Sequence, residues 1–119
     1  MTRVANLCRR EPYDVYVGRA GKGQTGYFGN PYPVGKLCKR CGQVHHSGNS
    51  TLPCFDSYFR ERIGRDPEFR MRVLALQGLV LGCFCVPKPC HASLIAAWLN
   101  RPRADIDTEI DQLVAAYAA

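Results

Sequence analysis

The chain has 119 residues, enough for one domain with a hydrophobic core that does not depend on disulfides. Lys and Arg outnumber Asp and Glu by 16 to 10, a net charge of +6, which admits an anionic partner without requiring one. No apolar run is long enough to cross a membrane, and Met1 to Leu7 lacks the core of a signal peptide, so the expected location is the cytoplasm. Thiols stay reduced there, and seven cysteines then point to metal binding or thiol chemistry rather than a disulfide framework.

The expected fold is a small α/β domain of two or three layers over residues 1–119. It has a short, mostly parallel sheet and about four helices. Arg3 to Leu7 reads as a first strand, with Cys8 after it as a buried, inert thiol. Tyr13 to Gly18, rich in β-branched and aromatic residues, reads as a second strand. A glycine-rich loop follows. Gly21 to Gly26 matches G-x-G-x-x-G, but the dinucleotide fingerprint needs a helix opening inside the motif. Gly29-Asn30-Pro31-Tyr32-Pro33 cannot supply that helix. The glycines still allow close backbone approach, and Arg19 and Lys22 can meet an anion.

Residues 37–54 read as an inserted zinc loop. Cys38-Lys39-Arg40-Cys41-Gly42 has the form of a zinc knuckle, in which two thiolates converge and the glycine permits the tight turn. Cys54 and one of His45 and His46 complete a Cys3His set, with His46 taken as the ligand. A closed set of four is structural rather than catalytic. A redox Cys-x-x-Cys would sit between a strand and a helix, and this one lies among loop residues.

Phe55, Tyr58, Phe59 and Ile63 lie on one face of a helix that Gly64 is expected to end. Asp66-Pro67-Glu68 opens the next helix with an amino-cap, a proline in the first turn and an acid behind it. Phe69, Val73 and Leu76 form its buried face, and Gly78 stops it. Arg60, Arg62, Arg65, Arg70 and Arg72 crowd this pair, as a solvated face or a phosphate-tracking surface. Leu79 to Cys85 reads as a strand buried on both faces, with Cys83 and Cys85 on the same side. A helix follows Cys90, with Leu94, Ile95, Trp98 and Leu99 inward, and 105–118 form a carboxyl-terminal helix.

The turn from Cys83 to His91 admits three readings. Cys90 at a helix amino terminus would have a lowered pKa and act as nucleophile, with Cys85 as a second thiol and His91 as acid or base. Alternatively Cys83, Cys85, Cys90 and His91 hold a second metal, or small thiols pack a tight turn. The chemical reading is the one taken forward, because such a turn lies at the carboxyl ends of the strands, where open α/β sheets bind ligands.

Four blocks carry a family resemblance: Val4-Ala5-Asn6-Leu7, Tyr13 to Arg19, Gly29-Asn30-Pro31-Tyr32, and Cys83 to His91. Over residues 3–100 the chain resembles the uncharacterised family labelled domain of unknown function four-three-two-six, found in bacteria, archaea and phages. The resemblance implies a Rossmann-like α/β domain and no established activity. Phe84 stands where the family usually has tryptophan, a packing swap, and Ala92-Ser93 replaces the usual glycine-aspartate, which removes a carboxylate. The resulting expectation is a structural zinc on Cys38, Cys41, His46 and Cys54. Beside it stands a pocket of Arg19, Lys22, Gly29, Asn30, Cys85, Cys90 and His91 for a nucleotide or nucleic-acid end. Any reaction would be transfer or hydrolysis at the phosphate. The competing expectation is a non-enzymatic nucleic-acid-binding module that uses the zinc loop and the arginine-rich helices.

Overall fold

The computed structural model describes residues 1–21, 23–84 and 90–117; Lys22 and the stretch from Cys85 to Pro89 lie outside the described residues. Strands β1 (Arg3–Asn6), β2 (Val15–Tyr16) and β3 (Val80–Cys83) form a three-stranded sheet of order β1-β3-β2. Both outer strands run parallel to the central one, with Asn6 level with Cys83 and Tyr16 level with Gly82. All three carboxyl ends therefore open on the same side. Helices α1 (Leu52–Arg65) and α2 (Pro67–Leu74) fill the crossover between β2 and β3. After β3 come α3 (His91–Leu99) and α4 (Arg103–Tyr117). Among the described residues the domain is thus mixed α/β, with a small parallel sheet and four α-helices.

The second strand is shorter than its composition predicts. Its extended pairing nevertheless continues on both sides, with Asp14 N–H on the Val80 carbonyl at 2.8 Å and Val17 N–H on Gly82 at 3.0 Å. The core joins Phe55, Phe59 and Ile63 of α1 to Phe69 and Val73 of α2, Leu81 of β3, and Ile95, Trp98 and Leu99 of α3. Burying side chains of this size contributes about 1.5–3 kcal/mol each.

Asp66 caps α2 as its sequence predicts, accepting Phe69 N–H at 3.1 Å. Gly64 does not end α1; the helix continues through Arg65. Its role is close packing, because a Cβ there would meet the Leu113 carbonyl oxygen of α4 at 2.7 Å. The last helix starts earlier than expected, at Arg103, since the Pro102 carbonyl already accepts Asp105 and Ile106 N–H. Cys8 is exposed, not buried: the chain leaves β1 in a 3-10 turn over Leu7–Arg9 and carries the thiol out towards the Phe84 carbonyl, 3.5 Å away. Among the described residues, no helix is long and apolar enough to cross a membrane.

Candidate functional site

The loop before α1 gathers four ligand-type side chains. Leu37 bridges Val44 in an antiparallel turn, which Cys38 N–H closes on Gln43 at 2.8 Å and Gly42 N–H closes on Cys38 at 2.9 Å. Gly42 takes φ +77°, the left-handed conformation that this tight turn needs. Arg40 N–H points at Cys38 Sγ at 3.4 Å. The first turn of α1 brings Cys54 Sγ to 3.8 Å from Cys38 Sγ. Cys41 Sγ lies 3.6 Å from Nε2 of His45. The ligand atoms of Cys38, Cys41, His45 and Cys54 all fall within 4.8 Å of one another, so the group can hold a metal ion.

The histidine that the structure brings to these cysteines is His45 rather than the His46 taken from the sequence. The His45 ring is buried, with Nδ1 3.0 Å from the Ser50 hydroxyl and Nε2 on Cys41, while His46 is exposed. Two of the thiols are tuned apart. Hydrogen bonds led by the backbone N–H of Cys41 lower Cys38 to about 6, whereas burial raises Cys54 to about 11.

At the carboxyl ends of the strands lies a cavity of about 460 Å³. Leu7 closes one side, and Tyr13, Tyr16 and Phe84 line it with aromatic surface; Arg19 and Gly21 form its polar rim. Gly82 makes room for this wall, since a Cβ there would meet the Tyr13 ring at 2.8 Å. Tyr16 and Phe84 meet edge to face at 6.3 Å. Arg19 is held by its own donation to the Asn30 carbonyl at 2.8 Å, which leaves further guanidinium N–H groups on an exposed side chain.

The expected pocket residues divide. Arg19 lines the cavity. Asn30 does not; it is buried, donating to Thr51 Oγ1 at 2.7 Å and accepting Tyr32 N–H at 2.9 Å. Gly29 packs so closely on Gly18 and Arg19 that a Cβ would meet the Gly18 carbonyl oxygen at 2.5 Å. Both position Arg19 rather than meet a ligand. Lys22 and Cys85 lie outside the described residues. Phe84, read from the sequence as a packing swap, is 53% exposed and forms pocket wall. Tyr13, Tyr16 and Phe84 are the residues sequence reasoning missed. Their signal was the strand period, which sets Gly82 and Phe84 on the face opposite Cys83.

Behind this wall, Cys83, Cys90 and His91 form a second group, 1%, 3% and 3% exposed respectively. The two sulfurs are 3.6 Å apart, and His91 Nε2 lies 2.5 Å from the Val17 carbonyl oxygen. Hydrogen bonding from Cys83, helped by the backbone N–H groups of Ser93 and Ala92, pulls the Cys90 thiol down to about 5. Burial holds His91 below the usual imidazole range.

The arginine-rich helices are largely neutralised on their own surface. Arg60 pairs with Asp56 and Glu109, Arg62 with Asp66, Arg65 with Glu61, and Arg72 with Glu68. Arg62 also stacks over Phe69, its guanidinium carbon 4.0 Å from the ring centroid.

These features define a small parallel α/β domain that carries two cysteine–histidine groups and a strand-end pocket. The chain belongs to the family described as Domain of unknown function (DUF4326), which matches residues 2–101. It is 34% identical over 115 residues to a protein of Enterobacteria phage T4 described as "Uncharacterized 12.4 kDa protein in nrdA-td intergenic region"; the alignment covers 92% of this chain and 93% of that relative. No solved structure matches.

Proposed function

We propose that this chain is a zinc-braced, Rossmann-like α/β domain that binds a nucleotide or a nucleic-acid end in its strand-end pocket. The observation that carries the reading is the pairing of an aromatic wall, Tyr13, Tyr16 and Phe84, with Arg19 and the glycine loop at one rim. Aromatic rings stack on bases for about 1–3 kcal/mol each. A guanidinium held by its own hydrogen bond to Asn30 offers directed donors to a phosphate. The cavity volume falls in the ordinary range of small-ligand sites.

Zinc suits the loop group on its spacing. Around a tetrahedral zinc, thiolates at about 2.3 Å stand about 3.8 Å apart, and a thiolate stands about 3.5 Å from an imidazole nitrogen. Cys38 and Cys54 at 3.8 Å and Cys41 and His45 at 3.6 Å fit that tetrahedron. Four protein ligands close the site, so this metal would tie the loop to α1 and leave chemistry to the pocket.

Calorimetric titration with mononucleotides and short 5′-phosphorylated single strands tests the pocket. Arg19→Ala and Phe84→Ala should each weaken binding at least about tenfold, equivalent to about 1.4 kcal/mol. No binding at millimolar ligand overturns the reading. So does oligonucleotide binding that neither substitution weakens, which would move the contact to another surface.

A further inference from the structure

We infer that Cys83, Cys90 and His91 form a second metal site, distinct from the loop group, for a zinc-like divalent ion. The three residues come from two rigid elements, the end of β3 and the first turn of α3. Their ligand atoms lie within 4.8 Å of one another. The sulfur separation of 3.6 Å is close to the 3.8 Å between Cys38 and Cys54 in the loop group.

The proton on His91 gives the second argument. A carbonyl oxygen only accepts, so the 2.5 Å contact with Val17 places the ring proton on Nε2. In a neutral ring Nδ1 is then the nitrogen with a lone pair. Metal-binding histidines are oriented in this way, one ring nitrogen donating to a backbone carbonyl and the other facing the ion. The Phe55 ring packs edge to face on the imidazole, 5.3 Å away.

Among the described residues the site has three protein ligands where the loop group has four. This second group stands directly behind the strand-end pocket, because Phe84 follows Cys83 in the chain and the Val17 carbonyl lies just before Gly18 and Arg19.

Elemental analysis of the full chain after loading with zinc or cobalt(II) tests the site. Wild type should hold two ions per chain, and Cys90→Ser and His91→Gln should each hold one while keeping the wild-type circular dichroism; the glutamine retains an N–H for Val17. One ion per chain in wild type, unchanged by either substitution, overturns the inference. Should both variants fail to fold, thiol mapping of wild type decides the matter. Cys83 and Cys90 should resist alkylation in the metal-loaded protein and react after chelation. Alkylation of Cys90 at equal rates with and without metal overturns the inference and makes it a free thiol.

Discussion

His45 Nδ1 lies 3.0 Å from the hydroxyl of Ser50, and that hydroxyl donates to the Ser47 carbonyl at 3.0 Å. With its only proton committed to Ser47, Ser50 must accept from His45. The ring therefore carries its proton on Nδ1 and presents a bare Nε2 to Cys41, as a metal ligand requires. Ser50→Ala should lower zinc affinity about 10–100-fold, the usual effect of removing such an orienting partner. His45→Ala should abolish binding at the loop group and His46→Ala should leave it unchanged. Competition with a chromophoric chelator measures all three, and a loss confined to His46→Ala would reverse the assignment.

Gly82 sits under Tyr13, and the strand-end pocket depends on that contact. A methyl group at this position meets the ring at 2.8 Å, but the ring is half-exposed and can swing outward. Gly82→Ala should accordingly cost well under the about 1–3 kcal/mol of a rigidly overpacked site while displacing pocket wall. Thermal melts should change little, and nucleotide binding should fall at least about tenfold, in step with Phe84→Ala. Unchanged binding by Gly82→Ala would remove Tyr13 from the ligand site.

Gly64 gives a test of sign. At an exposed helix position, replacing glycine with alanine stabilises by about 1 kcal/mol. Here a Cβ meets the Leu113 carbonyl oxygen at 2.7 Å and the Tyr117 ring at 2.8 Å, so α1 and α4 must separate. Gly64→Ala should therefore destabilise the domain, by about 1–3 kcal/mol in denaturant unfolding. A gain in stability would mean that the two helices do not pack this closely.

What could be read in advance divides by the range of the interaction. Asp66 was legible as a cap because its partner, Phe69 N–H, lies within the same turn. The four-ligand loop was legible from Cys38, Cys41 and Cys54, since residue type and spacing carry most of that signal. His45 was not separable from His46, because the contact that orients its ring comes from the Ser50 hydroxyl, which the Cys-x-x-Cys spacing does not reveal. Gly64 read as a helix stop because its neighbour, Leu113, lies far along the chain. Asn30 read as a ligand residue because nothing local reveals Thr51 as its partner. Cys83, Cys90 and His91 were placed at the strand ends, yet only the contact with Val17 says which ring nitrogen carries the proton.

Glu109 ties three elements together, and its titration should be visible in stability. Its carboxylate accepts from Arg60 of α1, from Trp98 of α3 at 3.2 Å, and from Arg101 before α4. Burial alone would raise its pKa, but the hydrogen bonds from Arg101 and Arg60 outweigh it and hold the group below its ordinary 4.5. A carboxylate lowered in the folded state contributes stability that is fully present above 4.5 and is lost as pH falls through the lower, folded value. Wild type should therefore lose stability with acid below that point, because unfolding takes up a proton there. Glu109→Gln should be less stable at neutral pH by about 1–3 kcal/mol, with Arg60 and Arg101 left without their shared partner. Its acid limb should be flatter, and the two stability curves should converge as pH falls. Chemical denaturation at a series of pH values measures both, and parallel curves for wild type and variant would show that Glu109 does not link α1, α3 and α4 in this way.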